Sequence, residues 1–254
     1  MNDTTGALGS TPRLTAAHIS LAAIGLMWTL PFLQPFHRAP LTSFYGEWLA
    51  LALGLLALAP LARKSFWHAA PVPTVALPLI AFVAVLALQF ALGQVAYAGQ
   101  PLAAALYLLW AALLMMLACG LRREIHLSGI VTVLAWFLVI GGTLGSLFAL
   151  LQHYQISDLP STLIMPKRAA NVYGNLGQNN HFANYSTLAL ASLAYLYAGG
   201  RLHWAGVAVA AAPLIFVIGL SGSRSALLFL AVLLVLAILY AWRGEGGGKR
   251  LTAC

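Results

Sequence analysis

Long apolar stretches constrain this chain more than any other feature of its sequence. A bilayer has a hydrocarbon core about 30 Å thick, and about 20 mostly apolar helical residues are needed to cross it. Backbone amides without partners are costly in lipid, so stretches of this kind form helices rather than open strands. We therefore predict an all-α, polytopic transmembrane helical bundle of about eight helices. The predicted helices are 17–34, 44–61, 74–93, 101–120, 128–151, 182–198, 202–220 and 225–242.

The composition agrees with a membrane protein and excludes several other classes. Of the 254 residues, 61% are hydrophobic and 7% are charged, whereas a soluble domain carries about 25% charged residues. A soluble enzyme, a disordered chain and a nucleic-acid-binding domain are therefore excluded, and the lipid bilayer is the expected surroundings. The two cysteines, Cys119 and Cys254, form no CxxC pair and predict neither a disulfide framework nor a metal site.

The basic residues indicate the orientation in the membrane. The net charge is +8, with 13 Lys and Arg residues, and short cytoplasmic loops carry most such residues. With the N-terminus inside, nine of the 13 are cytoplasmic, which favours an N-in, C-in arrangement. The four on the outer side are Arg38, Lys167, Arg168 and Arg224. Around the membrane domain 17–242 we predict a polar N-terminal tail, 1–16, and a flexible cytoplasmic tail, 243–254.

One long polar connection, residues 153–181, interrupts the apolar sequence on the predicted outer side. It leads directly into the sixth predicted helix, whose N-terminus carries unpaired N–H groups and the positive end of the helix dipole. Cations, side-chain amides and a helix N-terminus together suit a phosphate or pyrophosphate beside a sugar. The alternative is a solvated loop with asparagines at a helix start. Its polar residues include Lys167, Arg168, Asn171, Asn175, Gln178, Asn179, Asn180 and His181.

Three charged residues elsewhere on the outer side are further candidates for substrate binding. Arg224 lies in the turn 221–225 between two apolar helices, and an arginine at membrane depth is a functional-site hypothesis by default. Arg38 adds to the outer basic cluster, and Glu47 is a natural partner for one of the arginines. The alternatives are a turn arginine that reaches the interface and a carboxylate exposed to water.

Two classes of function are disfavoured by what the sequence lacks. No Asp or Glu lies in the middle of a predicted span, although proton- and sodium-coupled transporters usually need one there. There is also no Walker loop, no GxGxxG after a strand and no paired-carboxylate motif. We therefore expect any reaction to take place on the outer face, without ATP or a nucleotide sugar.

The polar loop resembles a known family. Arg168-Ala169 followed by YGNLGQNNH, residues 173–181, is similar to the signature of bacterial protein O-oligosaccharyltransferases of the pilin-glycosylation type. These belong to the wider superfamily of O-antigen ligases and polymerases. SFYGEWLA, residues 43–50, and the turn 221–224 also resemble this family. The resemblance covers residues 17–242, and the ligase core shared by the superfamily would begin near residue 202.

The resemblance implies an activity and roles for particular residues. The family transfers a preassembled glycan from undecaprenyl pyrophosphate to a serine or threonine hydroxyl of a periplasmic protein such as pilin, without a metal, nucleotide or other cofactor. It works in the bacterial inner membrane. By this resemblance Arg168 and Arg224 would hold the pyrophosphate, with Lys167, Arg38 and Glu47 as further binding residues. The residues that would line the glycan or acceptor site, or fix the loop, are Asn175, Gln178, Asn180 and His181.

The length departs from the family pattern. Family members are usually longer, and a later segment carries the histidine that is thought to activate the acceptor. We therefore expect this chain to be an N-terminal portion, from a truncated or interrupted reading frame, and both an active chain and one that is inactive alone stay open. His153 or His181 would be the substitute general base, since histidine titrates near neutral pH. Three alternatives remain open: an O-antigen ligase or polymerase, a non-catalytic protein that binds or moves a polyprenyl-linked substrate, and a structural subunit.

Overall fold

The computed structural model describes residues 15–37, 43–59, 72–156, 162–167 and 170–243. These residues form helices and the turns between them, without a strand. The predicted all-α class is therefore confirmed. The α-helices are α1 (Ala16–Met27), α2 (Leu30–Leu33), α3 (Phe44–Ala57), α4 (Leu77–Ala91), α5 (Gly99–Glu124), α6 (Leu127–His153), α7 (Asn179–Ala198), α8 (Trp204–Ser221) and α9 (Arg224–Arg243).

Each of the eight predicted spans coincides with helical structure. Within the described residues, five helical segments are long and apolar enough to cross a membrane, so the chain is a multi-pass membrane protein. The number of spans and the N-in, C-in orientation stay predictions. Nearly all of the two predicted tails lies outside the described residues. The five segments are Ala16–Leu33, Thr74–Ala91, Gly99–Glu124, Leu127–His153 and Trp204–Ser221.

The first predicted span is two helices, α1 and α2, rather than one. The break falls at Thr29, whose hydroxyl donates to the carbonyl oxygens of Gly25 at 2.9 Å and Phe137 at 3.2 Å. Pro31 then lies in the first turn of α2, where its missing N–H costs no helical hydrogen bond. A contact with a residue more than a hundred positions away therefore stabilises the interruption.

The chain divides into two compact units. The first contains the described residues up to Ala22 and those from Ala57 to Glu124. In this unit α4 packs against α5, and the Ser20 hydroxyl donates to the Ala57 carbonyl oxygen at 2.6 Å.

The second unit contains residues 23–56 and the described residues from Ile125 onward. Its centre is formed by α6, α7 and α8, with α9 on α7 and α2 on α6. The close approach of α6 and α7 depends on glycine, because a Cβ at Gly142 would overlap the Cβ of Ala189, and one at Gly141 would overlap the hydroxyl of Tyr185. Small residues allow this kind of backbone approach in membrane helices.

Replacing Gly142 by alanine is expected to destabilise the second unit by about 1–3 kcal/mol, the usual cost of overpacking a core. Thermal unfolding of the purified chain in detergent measures the effect. Gly219→Ala is the matched control, because among the described residues no atom beyond the nearby backbone of its own helix lies within 4 Å of a Cβ at Gly219, and alanine favours a helix over glycine. Equal midpoints of thermal unfolding for the two variants would contradict the close packing of α6 against α7 at Gly142.

Candidate functional site

The loop between α6 and α7 is held to the second unit by Gln152, in the last turn of α6. Its side-chain nitrogen donates to the carbonyl oxygens of Met165 at 2.8 Å and Gly174 at 3.2 Å. Its side-chain oxygen accepts from the backbone N–H groups of Gly174 at 3.1 Å and Tyr173 at 3.4 Å. Gln152 is buried, so one amide satisfies four backbone groups away from water, as buried polar groups require.

Asn175 is the second buried amide of the loop, and only 1% of it is exposed. Its side-chain nitrogen donates to the carbonyl oxygens of Leu33 at 2.7 Å and Leu163 at 2.8 Å. Its side-chain oxygen accepts from the backbone N–H of Met165 at 2.9 Å. Both amide protons are used within the protein, so the geometry favours fixing the loop, one of the two roles predicted for Asn175.

Two glycines allow the loop to turn tightly before α7. Gly174 has φ +54° and Gly177 has φ +74°, in the left-handed region that other residues rarely adopt. Gly174 also lies over the ring of Phe182, which a Cβ would approach to 3.2 Å. The buried ring of Phe182, in α7, thus packs against the loop at Gly174.

The loop and the start of α7 line a cavity of about 360 Å³, which we call the amide cavity. The helix begins at Asn179, and the side chain of its N-cap residue, Gln178, makes no capping hydrogen bond. The positive end of the α7 dipole therefore lies at the cavity wall. The lining residues are Met165, Ala170, Asn171, Tyr173, Gly177, Gln178 and Asn179.

The turn between α8 and α9 lies against this loop. The side-chain nitrogen of Asn179 donates to the carbonyl oxygen of Ser221 at 3.0 Å, and the backbone N–H of Val172 donates to Leu220 at 3.2 Å. The Asn171 amide lies 3.0 Å from where a Cβ on Gly222 would be. These contacts hold the end of α8 and the turn that follows it against the loop and the start of α7. Arg224, the first residue of α9, is exposed beside them.

A second cavity, of about 370 Å³, includes Leu176 in its wall; we call it the histidine cavity. It brings His37 together with two candidate residues named from the sequence, Glu47 and His181. The Nε2 atom of His37 is 2.6 Å from the carbonyl oxygen of Asn175. The remaining lining residues are Met27, Pro31, Phe32, Gln34, Ser43, Gly46, Ala50 and Leu176.

Three further candidate residues, Lys167, His153 and Asn180, line neither cavity. Lys167 Nζ lies 3.4 Å from His153 Nδ1. Asn180 is exposed in the first turn of α7. Arg38 and Arg168 lie outside the described residues. Within the described part of the chain, no group of three or more His, Cys, Asp or Glu residues could hold a metal ion.

Sequence reasoning missed two glutamines, Gln152 and Gln34. Gln152 holds the loop, and Gln34 lines the histidine cavity. Each of these glutamines is a lone amide at the end of an apolar helix, next to a predicted outer loop. This position was the signal by which the sequence could have indicated them. Nothing in the sequence showed which backbone groups they would contact.

The fold and this polar site define a multi-pass helical membrane protein with two neighbouring cavities in its larger unit. The chain is similar to a curated relative, the general O-oligosaccharyltransferase of Acinetobacter baylyi, with 28% identity over 232 residues. The match confirms the resemblance to protein O-oligosaccharyltransferases. It covers 91% of this chain and 38% of the relative, so the chain spans well under half of the relative's length. No family model matches the chain, and no solved structure matches it.

Proposed function

We propose that this chain binds the lipid-linked donor of a membrane glycosyltransferase. The reaction would transfer a preassembled glycan from undecaprenyl pyrophosphate to a serine or threonine hydroxyl of a periplasmic protein such as pilin. The observation that carries the proposal is the hydrogen bond from Asn179, in the wall of the amide cavity, to Ser221, which lies three residues before Arg224 at the start of α9. The similarity to a general O-oligosaccharyltransferase supports the same reaction.

The amide cavity suits a pyrophosphate for electrostatic reasons. The N-termini of α7 and α9 both present positive dipole ends, which favour anions. Arg224 adds a guanidinium that can hold two phosphate oxygens at once, and the amide groups of Gln178 and Asn179 supply neutral donors. Lys167 and Arg168 would add charge from the loop. Neutralising the pyrophosphate makes it a better leaving group, because negative charge develops on it in the transition state.

Transfer also requires a group that accepts the proton of the acceptor hydroxyl. The hydroxyl oxygen forms a bond to the anomeric carbon of the glycan while the bond from that carbon to the pyrophosphate oxygen breaks. His181 is the better placed of the two candidate bases, because it lines the histidine cavity beside Glu47. His153 lines neither cavity, and its Nδ1 atom lies 3.4 Å from Lys167 Nζ instead.

The activity is tested by expressing this chain in a bacterial strain without its own O-oligosaccharyltransferase, supplied with a lipid-linked glycan and a pilin-like acceptor. The proposal predicts a glycosylated acceptor, detected by mass spectrometry, that disappears with Arg224→Ala. Donor binding without product would assign the chain to the non-catalytic alternative. Neither binding nor product, with the chain stably inserted, would overturn the proposal.

The proposed site must face the periplasm, where the acceptor is found. An alkaline phosphatase fused after Asn171 is expected to be active, because that enzyme folds only outside the cytoplasm. The same reporter fused after Arg201, in the turn between α7 and α8, is the control and is expected to be inactive. The reverse pattern would place the amide cavity on the cytoplasmic side and contradict the proposed donor and acceptor.

A further inference from the structure

The histidine cavity contains a hydrogen-bond donor that the fold does not use. The side-chain oxygen of Gln34 accepts from the backbone N–H of Phe36 at 2.7 Å, which fixes the amide plane. The side-chain nitrogen, Nε2, is buried and has no hydrogen-bond partner among the described residues. It lies 3.7 Å from where a Cβ on Gly46 would be, in the cavity wall that both residues share. A buried donor without a partner lowers stability, so a ligand that accepts a hydrogen bond from it would recover this loss.

The rest of the lining combines apolar surface with both kinds of hydrogen-bonding group. Phe32, Pro31 and Leu176 supply apolar contacts, the Glu47 carboxylate accepts hydrogen bonds, and the Ser43 hydroxyl donates or accepts. A sugar ring has the complementary surface, because its C–H faces are apolar and its rim carries hydroxyl groups. The volume of about 370 Å³ is within the range of small-ligand pockets. The Glu47 carboxylate disfavours a second anionic group here, so a neutral ring fits better than a phosphate.

The position of the histidine cavity links it to the donor site. Gly177 lines the amide cavity, and a Cβ on it would lie 3.6 Å from the ring of His37, which lines the histidine cavity. Leu176 lines the histidine cavity, and Gln178 lines the amide cavity. A ligand with its pyrophosphate in the amide cavity would therefore have its first sugar within reach of the histidine cavity.

We propose that the histidine cavity binds the sugar ring attached to the pyrophosphate of the donor, and that Gln34 and Glu47 select this sugar through its hydroxyl groups. This inference rests on the proposed function, because it assumes the pyrophosphate in the amide cavity. It also assigns a different part of the donor to each cavity. The amide cavity binds the pyrophosphate, which is common to all such donors, and the histidine cavity distinguishes one sugar from another.

The test compares two kinds of lipid on the full chain in lipid nanodiscs. The first is undecaprenyl pyrophosphate without sugar, and the second is a panel of the same lipid carrying glucose, galactose, N-acetylglucosamine or N-acetylgalactosamine. For wild type, at least one sugar of the panel is expected to bind about tenfold more tightly than the sugar-free lipid, as one well-made hydrogen bond would give. Gln34→Met and Glu47→Gln are expected to remove this advantage, and Gln34→Met is expected to leave the affinity for the sugar-free lipid within about twofold.

Two control variants test whether the loss of sugar binding is specific to the histidine cavity. Gln100→Ala and Glu124→Gln alter the same residue types in the other unit and are expected to keep the sugar advantage. If every lipid binds equally to wild type, or if Gln34→Met and Glu47→Gln keep the advantage, the sugar site is wrong and the pyrophosphate site stands. If even the sugar-free lipid fails to bind wild type, the proposed function fails as well. Thermal unfolding of each variant in detergent checks that the fold is intact.

Discussion

Replacing Asn175 by alanine is expected to detach the loop between α6 and α7 and to abolish donor binding. The substitution removes three side-chain hydrogen bonds and leaves the carbonyl oxygens of Leu33 and Leu163 and the N–H of Met165 without partners. These hydrogen bonds are partly buried, and each contributes about 0.5–1.5 kcal/mol, so the total loss is about 2–4 kcal/mol. The beginning of α7 follows this loop directly, and the walls of both cavities depend on it.

Trypsin measures this detachment directly, because Lys167 and Arg168 lie in the loop. Cleavage at these residues is expected to be about tenfold faster or more in Asn175→Ala, since proteolysis follows the population of the open loop. Asn180→Ala is the control for loop order, because Asn180 is exposed, and its cleavage rate should match that of wild type. An unchanged rate in Asn175→Ala would show that the buried amide does not hold the loop.

Replacing Arg224 by alanine is expected to weaken binding of undecaprenyl pyrophosphate by about tenfold to a hundredfold, the usual loss when a charge-assisted hydrogen bond is removed. The fold should persist, because the Arg224 side chain is exposed at the beginning of α9. Arg224→Lys should bind the lipid with intermediate affinity. Lysine keeps the positive charge but lacks the planar guanidinium that can hold two phosphate oxygens at once.

Arg123→Ala is the matched control for this charge. Arg123 lies in the last turn of α5, in the other unit, and its removal lowers the net charge by the same amount. The lipid should bind this variant as it binds wild type. An equal loss in both arginine variants would mean that the anionic lipid responds to net charge alone, and Arg224 would then have no specific role.

The helices could be predicted from the sequence because apolar length is a local property. The segment 225–242 needed only its own composition to be identified, and α9 runs from Arg224 to Arg243. The break at Thr29 could not be predicted, because it depends on the carbonyl oxygen of Phe137 in another helix. The sequence likewise placed α7 from residue 182, whereas its polar first turn begins at Asn179.

The sequence predicts a region for the candidate site, but not the contacts within it. The loop and the turn containing Arg224 were expected on one side, and the hydrogen bond from Asn179 to Ser221 brings them together. The role of Asn175 was open because its partner Leu33 is 142 residues away. Long-range pairings of this kind depend on how the helices pack, which composition and spacing do not encode.

Binding of sugar-free undecaprenyl pyrophosphate to the purified chain in nanodiscs tests the central claim most directly. The account predicts saturable binding that is displaced by inorganic pyrophosphate, weakened by added salt and lowered at least about tenfold by Arg224→Ala. Binding that does not saturate, or that is the same for wild type, Arg224→Ala and Asn175→Ala, would contradict a donor site at the amide cavity.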